Sequence, residues 1–109
     1  MTVNELVSKF DLEVVAGPEL EKEIDGVYCG DLLSNVMARA EKNNLWLTVQ
    51  GHQNVVAVAL LVDISAVILV EGFDYDDKAV KKACQKGVNL LKTNKKAYSL
   101  ACKFCESNI

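Results

Sequence analysis

The chain is poor in the residues that most often announce a chemistry. It has one histidine, one proline, one tryptophan and no G-x-G-x-x-G, GxxxxGK[ST] or G-x-S-x-G run. A single histidine excludes an H-E-x-x-H site or any paired-histidine metal centre, and the missing glycine-rich and serine motifs remove the standard nucleotide-loop and hydrolase signatures. Basic clusters are also absent. The formal charge is −3, and the nearest candidates, Lys81-Lys82 and Lys95-Lys96, are isolated pairs assigned to solvated helix faces. A grip on a nucleic-acid backbone needs clustered Lys and Arg, so nucleic acid is not an expected partner. No apolar run approaches the roughly 20 residues that span a bilayer, and a membrane is not expected either. The start, MTVNELVSKF, lacks a basic segment followed by an apolar one, so the chain is read as cytoplasmic, with reduced thiols. There is no repeat, low-complexity stretch or Pro/Gly/Ser linker, and 109 residues suit one domain, 1–109.

Four cysteines are present. Cys29 and Cys84 lie among apolar neighbours and are expected to be small buried hydrophobes. Cys102 and Cys105 form a CxxC with no second ligand pair, inside what reads as a terminal helix, so packing is the expected role and no metal site is assigned.

What is present is periodicity. Thr2-Val3-Asn4-Glu5 has the capping-box pattern, with Val3, Leu6, Val7 and Phe10 at helical spacing, and a strand follows at Leu12–Val15. After the polar stretch AGPELEKE, Ile24–Cys29 reads as a strand stopped by Gly30-Asp31. Leu32, Leu33, Val36, Met37 and Ala40 make the next helix, and Leu45–Val49 the next strand. A polar knot, Gln50–Asn54, then precedes the run Val55–Val62, which is apolar on every side and suits a buried strand or a buried helix. The better strand at Ala66–Val70 directly after it favours a helix. Asp74 is expected to cap a helix whose inner face is Ala79, Val80, Ala83 and Cys84, with Gly87 as its stop. Val88–Leu91 is a strand, Thr93 or Asn94 a cap, and Lys95–Glu106 the last helix. Strand–helix alternation of this kind predicts an α/β class fold: a three-layer α/β/α domain with a mostly parallel sheet of about five strands.

In such sheets ligands bind beyond the C-terminal ends of the strands. The loops selected are Cys29-Gly30-Asp31, Gln50 to Asn54, Glu71 to Asp74 and Lys92-Thr93-Asn94, each leading into a helix N-terminus that favours an anion. The candidate ligand-binding residues are therefore Gly30, Asp31, Gln50, His52, Asn54 and Thr93. Asp31, Asp74 and Thr93 read first as helix caps and only second as ligand contacts. Histidine is not a favoured cap, so His52 is less easily dismissed than those three, although a lone histidine at a helix start reads first as a hydrogen-bonded structural residue and second as a ligand contact. No catalytic residue is assigned. A Cys29–His52–Asp31 triad can be assembled across neighbouring loops, but no spacing signature supports it.

The stretch GDLLSNVMARAEKNNLWLTVQGHQNVVAVALLVDISAVILVEG resembles the short, stand-alone DRTGG-domain proteins. Their hallmarks are a GDLLSDVM-like segment, a strand ending in a Gln/Thr-His-x-Asn knot and an IVAVA-like helix. Gly30, Asp31, Ser34, Gln50, His52 and Asn54 carry the match, and the DRTGG run itself does not occur. The resemblance implies a domain akin to the N-terminal domain of HPr kinase/phosphorylase and supports a helix at Val55–Val62. It also implies a regulatory or association role, since similar domains are fused to CBS-pair pyrophosphatases and phosphotransacetylases. Stand-alone copies encoded near hydrogenase-like and sensor-kinase-like proteins suggest a redox or signalling partner.

The expected function is a non-enzymatic regulatory module, a homodimer binding a partner protein and a small anion such as a nucleotide at the C-terminal edge of the sheet; no cofactor is named. Histidine titrates near neutral pH, which makes pH-sensitive binding part of the expectation. Two alternatives stay open: a small hydrolase or transferase using Cys29 or His52, and a redox or metal accessory of a hydrogenase-like system using Cys102 and Cys105.

Overall fold

The computed structural model describes all of residues 1–109. Helix α1 (Val3–Phe10) begins at the capping box: Thr2 Oγ1 accepts from the Glu5 N–H, and the Glu5 carboxylate accepts from the Thr2 N–H. It stops where Asp11 turns left-handed, and β1 (Glu13–Ala16) follows. Strand β2 (Val27–Cys29) starts later than the expected Ile24, because Gly26, at φ 90°, turns the chain immediately before it. Then come α2 (Leu33–Arg39), β3 (Leu45–Thr48), α3 (Gln53–Val62), β4 (Ala66–Leu69), α4 (Asp77–Lys86), β5 (Leu90–Lys92) and α5 (Ala97–Glu106).

The sheet order is β1-β5-β4-β3-β2. Strands β2 to β5 run parallel in register, and β1 joins antiparallel at the β5 edge. From β2 to β5 the chain moves one strand at a time in one direction, which keeps α2, α3 and α4 on one face. Val36, Val55, Val56, Ala59, Ala79 and Ala83 pack there on Trp46, Val67, Leu69 and Leu90. On the other face Val3, Leu6, Leu100 and Phe104 of α1 and α5 pack on Leu45, Leu47, Ile68 and Leu91. The alternation of Trp46 with Leu45 and Leu47, and of Val67 and Leu69 with Ala66 and Ile68, is the strand period of two serving both layers. This is the expected three-layer, mostly parallel α/β/α architecture. Phe10 and Phe104 lock the second layer with an edge-to-face contact, centroids 4.9 Å apart.

The run Val55–Val62 is helical, as expected, but it is not buried all round. Val55, Val56, Val58 and Ala59 are buried, while Leu60 and Leu61 are 50% and 73% exposed. Two cysteine expectations fail. Cys29 is exposed because it ends an edge strand with no neighbour beyond it, and Cys84 is exposed because Ala79 and Ala83 are the inward line of α4. Cys102 is half-buried on α5 and Cys105 exposed, so packing occupies only the first of the CxxC thiols.

Candidate functional site

The C-terminal edge of the parallel strands is knit together by side chains that the chain supplies to itself. At the end of β2, the Trp46 indole N–H donates to the Gly30 carbonyl at 2.8 Å. The next residue, Asp31, was expected to cap α2 and does not; Leu32 occupies that position without a side-chain bond. The Asp31 carboxylate instead accepts from the Thr48 hydroxyl at 2.7 Å and the Val49 N–H at 3.0 Å. The cause lies in β3: Thr48 is buried and its hydroxyl needs an acceptor where the ladder runs out, so a tertiary partner outcompetes the local cap. Gln50 closes the same joint by donating from Nε2 to the Asp31 carbonyl.

The knot continues through Gly51, whose carbonyl accepts from the Asp76 N–H at 2.9 Å. An added Cβ on Gly51 would stand 2.3 Å from the Asp74 carbonyl oxygen and 2.8 Å from Tyr75 Cα, so the knot is docked directly on the β4–α4 loop. His52 then serves as the N-cap of α3: its Nδ1 accepts from the Asn54 N–H at 3.1 Å. With Nδ1 used as an acceptor, the neutral ring carries its hydrogen on Nε2. That N–H has no partner within the chain, and neither has the Asn54 side chain; both residues are exposed.

Asp74 and Thr93, also expected as caps, are not caps either. Asp76 occupies the cap position of α4 and Lys96 that of α5. Asp74 is paired with Lys92, whose ammonium is held above its ordinary range by that carboxylate. Thr93 Oγ1 accepts from the Lys95 N–H in a local turn. It lines a depression of about 210 Å³ with Asp11, Glu13 and Lys92. The structure therefore joins Gly30, Asp31 and Gln50, places His52 and Asn54 together at the start of α3, and sets Thr93 apart.

A second depression, about 250 Å³, opens at the ends of β2, β3 and β4, lined by Cys29, Gly30, Asp31, Thr48, Glu71 and Ala97 among others. Glu71 is held at φ 62° beside Gly72 at φ 74°. Its two carboxylates make this cleft unfavourable for an anion. Partial burial, and then the Asp31 charge, push the Cys29 thiol above its ordinary range. No hydrogen bond links Cys29, His52 and Asp31 into a relay. Residue spacing had not singled out Trp46 or Thr48; their signal was only a polar group on a strand destined for burial on both faces.

The fold and its clamped strand ends define a class: a small α/β module whose βα loops are braced against one another. The chain belongs to the DRTGG domain family, whose profile matches residues 5–104. No curated protein matches it. Among solved structures it is similar to the CBS and DRTGG domains of the regulatory region of Clostridium perfringens pyrophosphatase, crystallised with the activator diadenosine tetraphosphate. The TM-score is 0.74 at 10% identity, over 92% of this chain and 44% of that one. At that identity the likeness concerns the fold, and this chain spans less than half of its neighbour's length.

Proposed function

We propose that residues 1–109 act as one non-catalytic regulatory module that binds a nucleotide-like anion at the C-terminal edge of the parallel sheet. The observation carrying this is the state of His52. Its Nδ1 is spent on capping α3, so its Nε2–H is directed by default to an outside acceptor, next to the Asn54 amide and the open first turn of a helix with no acidic residue there. Gly30, Asp31 and Gln50 hold the loop from which this donor group projects. Thr93 contributes only to a ligand long enough to reach its separate depression. The regulatory setting of the structural neighbour, and the nucleotide activator in its crystal, support the same reading.

The test separates capping from contact. His52→Asn keeps a capping acceptor and removes the ring N–H, whereas His52→Ala removes both. A nucleotide or dinucleotide at 100 times its Kd should stabilise the wild type by about 2.7 kcal/mol, read as a thermal shift. Both variants should lose that shift, and only His52→Ala should lower the ligand-free melting temperature. A shift retained in both overturns the assignment.

We further propose that the module is a homodimer, acting in the cytoplasm on a protein of a redox or signalling system. Helix α3 carries no charged residue, yet it exposes Leu61 and Leu60, and Met37 of α2 is 47% exposed. A second copy laid on this uncharged face would cover them. Leu61→Lys should convert a sedimenting dimer to monomer; a monomeric wild type at high micromolar concentration ends the idea. The alternative of a Cys29 nucleophile is disfavoured by the raised thiol, since the thiolate is the reactive form.

A further inference from the structure

We propose that the outer face of α4, together with Gln53 at the start of α3, is a binding site for an oligophosphate chain of three or more phosphates. This deepens the anion-binding reading and rests on it in sharing the start of α3. Lys78, Lys81, Lys82 and Lys86 recur along α4 at helical spacing and, with Gln53 and Gln85, line a shallow depression of about 320 Å³. None of the four lysines has a carboxylate within ion-pair distance; the salt bridges of the chain engage only Met1, Lys22, Lys42 and Lys92 as cations. Asp77, the one acidic residue in α4, precedes Lys81 by a turn and does not pair with it.

As a device for stability this face is mixed. Asp77 in the first turn and Lys86 in the last complement the macrodipole, whereas Lys78 in the first turn does not, and the 78/81, 78/82 and 82/86 pairs are like charges at repelling spacing. The chain as a whole has net charge −3, yet four of the ten residues of α4 are lysines, against one acidic residue in its first turn. Lys82 is half-buried, so part of its apolar stem packs against the surface while the residue lines the depression. From residue 78 to 86 an α-helix advances roughly 12 Å, a span that an extended chain of a few phosphates can follow while a single phosphate cannot. The N-terminal end of α3 borders the same hollow through Gln53, the residue next to His52 in the chain.

Calorimetric titration of the whole chain with inorganic tripolyphosphate, orthophosphate, a nucleoside triphosphate and the bare nucleoside tests this. The comparison variants are Lys78→Gln/Lys81→Gln, both at exposed positions and checked for unchanged folding by circular dichroism, and His52→Asn. Tripolyphosphate and the nucleoside triphosphate should bind, orthophosphate and the nucleoside at least tenfold more weakly, and added salt should weaken binding. The lysine variant should lose about tenfold or more in affinity, the loss expected for two exposed charge contacts. Triphosphate binding that is lost in His52→Asn but unchanged in the lysine variant overturns this inference and leaves the function above standing. Binding lost in the lysine variant alone supports the inference and overturns the His52 role. Failure of tripolyphosphate to bind the wild type, with or without binding of a poly-glutamate peptide or anionic vesicles, overturns it.

Discussion

Gly51→Ala should be among the most damaging single-methyl substitutions in this chain. The Gly51 Cβ would lie 2.3 Å from the Asp74 carbonyl oxygen and 3.1 Å from its carbon, with Tyr75 Cα at 2.8 Å. These are backbone atoms and cannot swing aside. Carbon–oxygen contacts settle at about 3.3 Å or more, so the knot and the β4–α4 loop must separate by about 1 Å. That separation breaks or stretches the Asp76 N–H bond to the Gly51 carbonyl, which sets the entry of α4. Overpacking costs typically 1–3 kcal/mol and a lost backbone bond roughly 1 more, giving about 2–4 kcal/mol. For a domain of this size the melting temperature should fall by roughly 10–20 °C. Gly30→Ala is the control: its Cβ would meet the Tyr28 ring at 3.0 Å, a side chain that can rotate away. It should cost less than about 1 kcal/mol. Urea denaturation of both variants, with m-values compared to exclude a change in the unfolded state, decides the matter. If Gly51→Ala lies within about 0.5 kcal/mol of wild type, the docking of the knot on the β4–α4 loop is wrong.

Asn89 is 1% exposed and makes three side-chain bonds: it accepts from the Glu19 N–H and donates to the carbonyls of Glu19 and Ser65. Asn89→Ala should cost about 2–4 kcal/mol in chemical denaturation, because it strands buried backbone groups; a loss below about 0.5 kcal/mol would show that water replaces them. Asp63, the left-handed stop of α3, has its carboxyl held below the ordinary 3.8 chiefly by the hydrogen bond from Lys22. A depressed folded value means stability that is full above the unfolded value and disappears as pH falls through the folded one. Asn tolerates this backbone, so Asp63→Asn should cost under about 1 kcal/mol at pH 7, given the pair's exposure, and nothing in strong acid. An equal cost at both pH values would remove the ion pair as its cause. Cys29 should alkylate more slowly at pH 8 than Cys105, since burial first and Asp31 second raise its thiol. Asp31→Asn should speed the reaction without making Cys29 the fastest thiol, and a Cys29 that reacts first in the wild type refutes the assignment.

The element order was legible because it depends on periodicity and local turn chemistry. The capping box at Thr2 and Glu5, the left-handed stop at Gly87 and the apolar strands at Leu45 and Ala66 are each decided by residues a few positions apart. Assignments that depend on distant partners were not legible. Asp31, Asp74 and Thr93 all have cap-forming side chains, yet Asp31 bonds to the end of β3, Asp74 to Lys92 and Thr93 to its own turn. His52, the one residue set aside as a poor cap, is a cap. Cys29 looked buried because its strand neighbours are apolar; only the sheet order reveals that β2 is an edge.

These reversals redistribute the candidate site in a consistent direction. A polar group whose bonds are filled within the chain can hold a loop, but it has little left to offer a ligand. Asp31 is bonded by Thr48 and Gln50, and the Trp46 indole N–H is taken by the Gly30 carbonyl, which braces the strand ends against one another. Among the groups left open after the fold has taken its share are the His52 Nε2–H, the Asn54 amide and the lysines of α4, on the helices of one face of the sheet. The acidic cleft at the ends of β2, β3 and β4 has the shape of a site but the wrong charge for an anion. Rigid support from filled groups and recognition by unfilled ones is the division expected of a preorganised binding surface, and it is the division on which both proposals, at the start of α3 and along α4, are built.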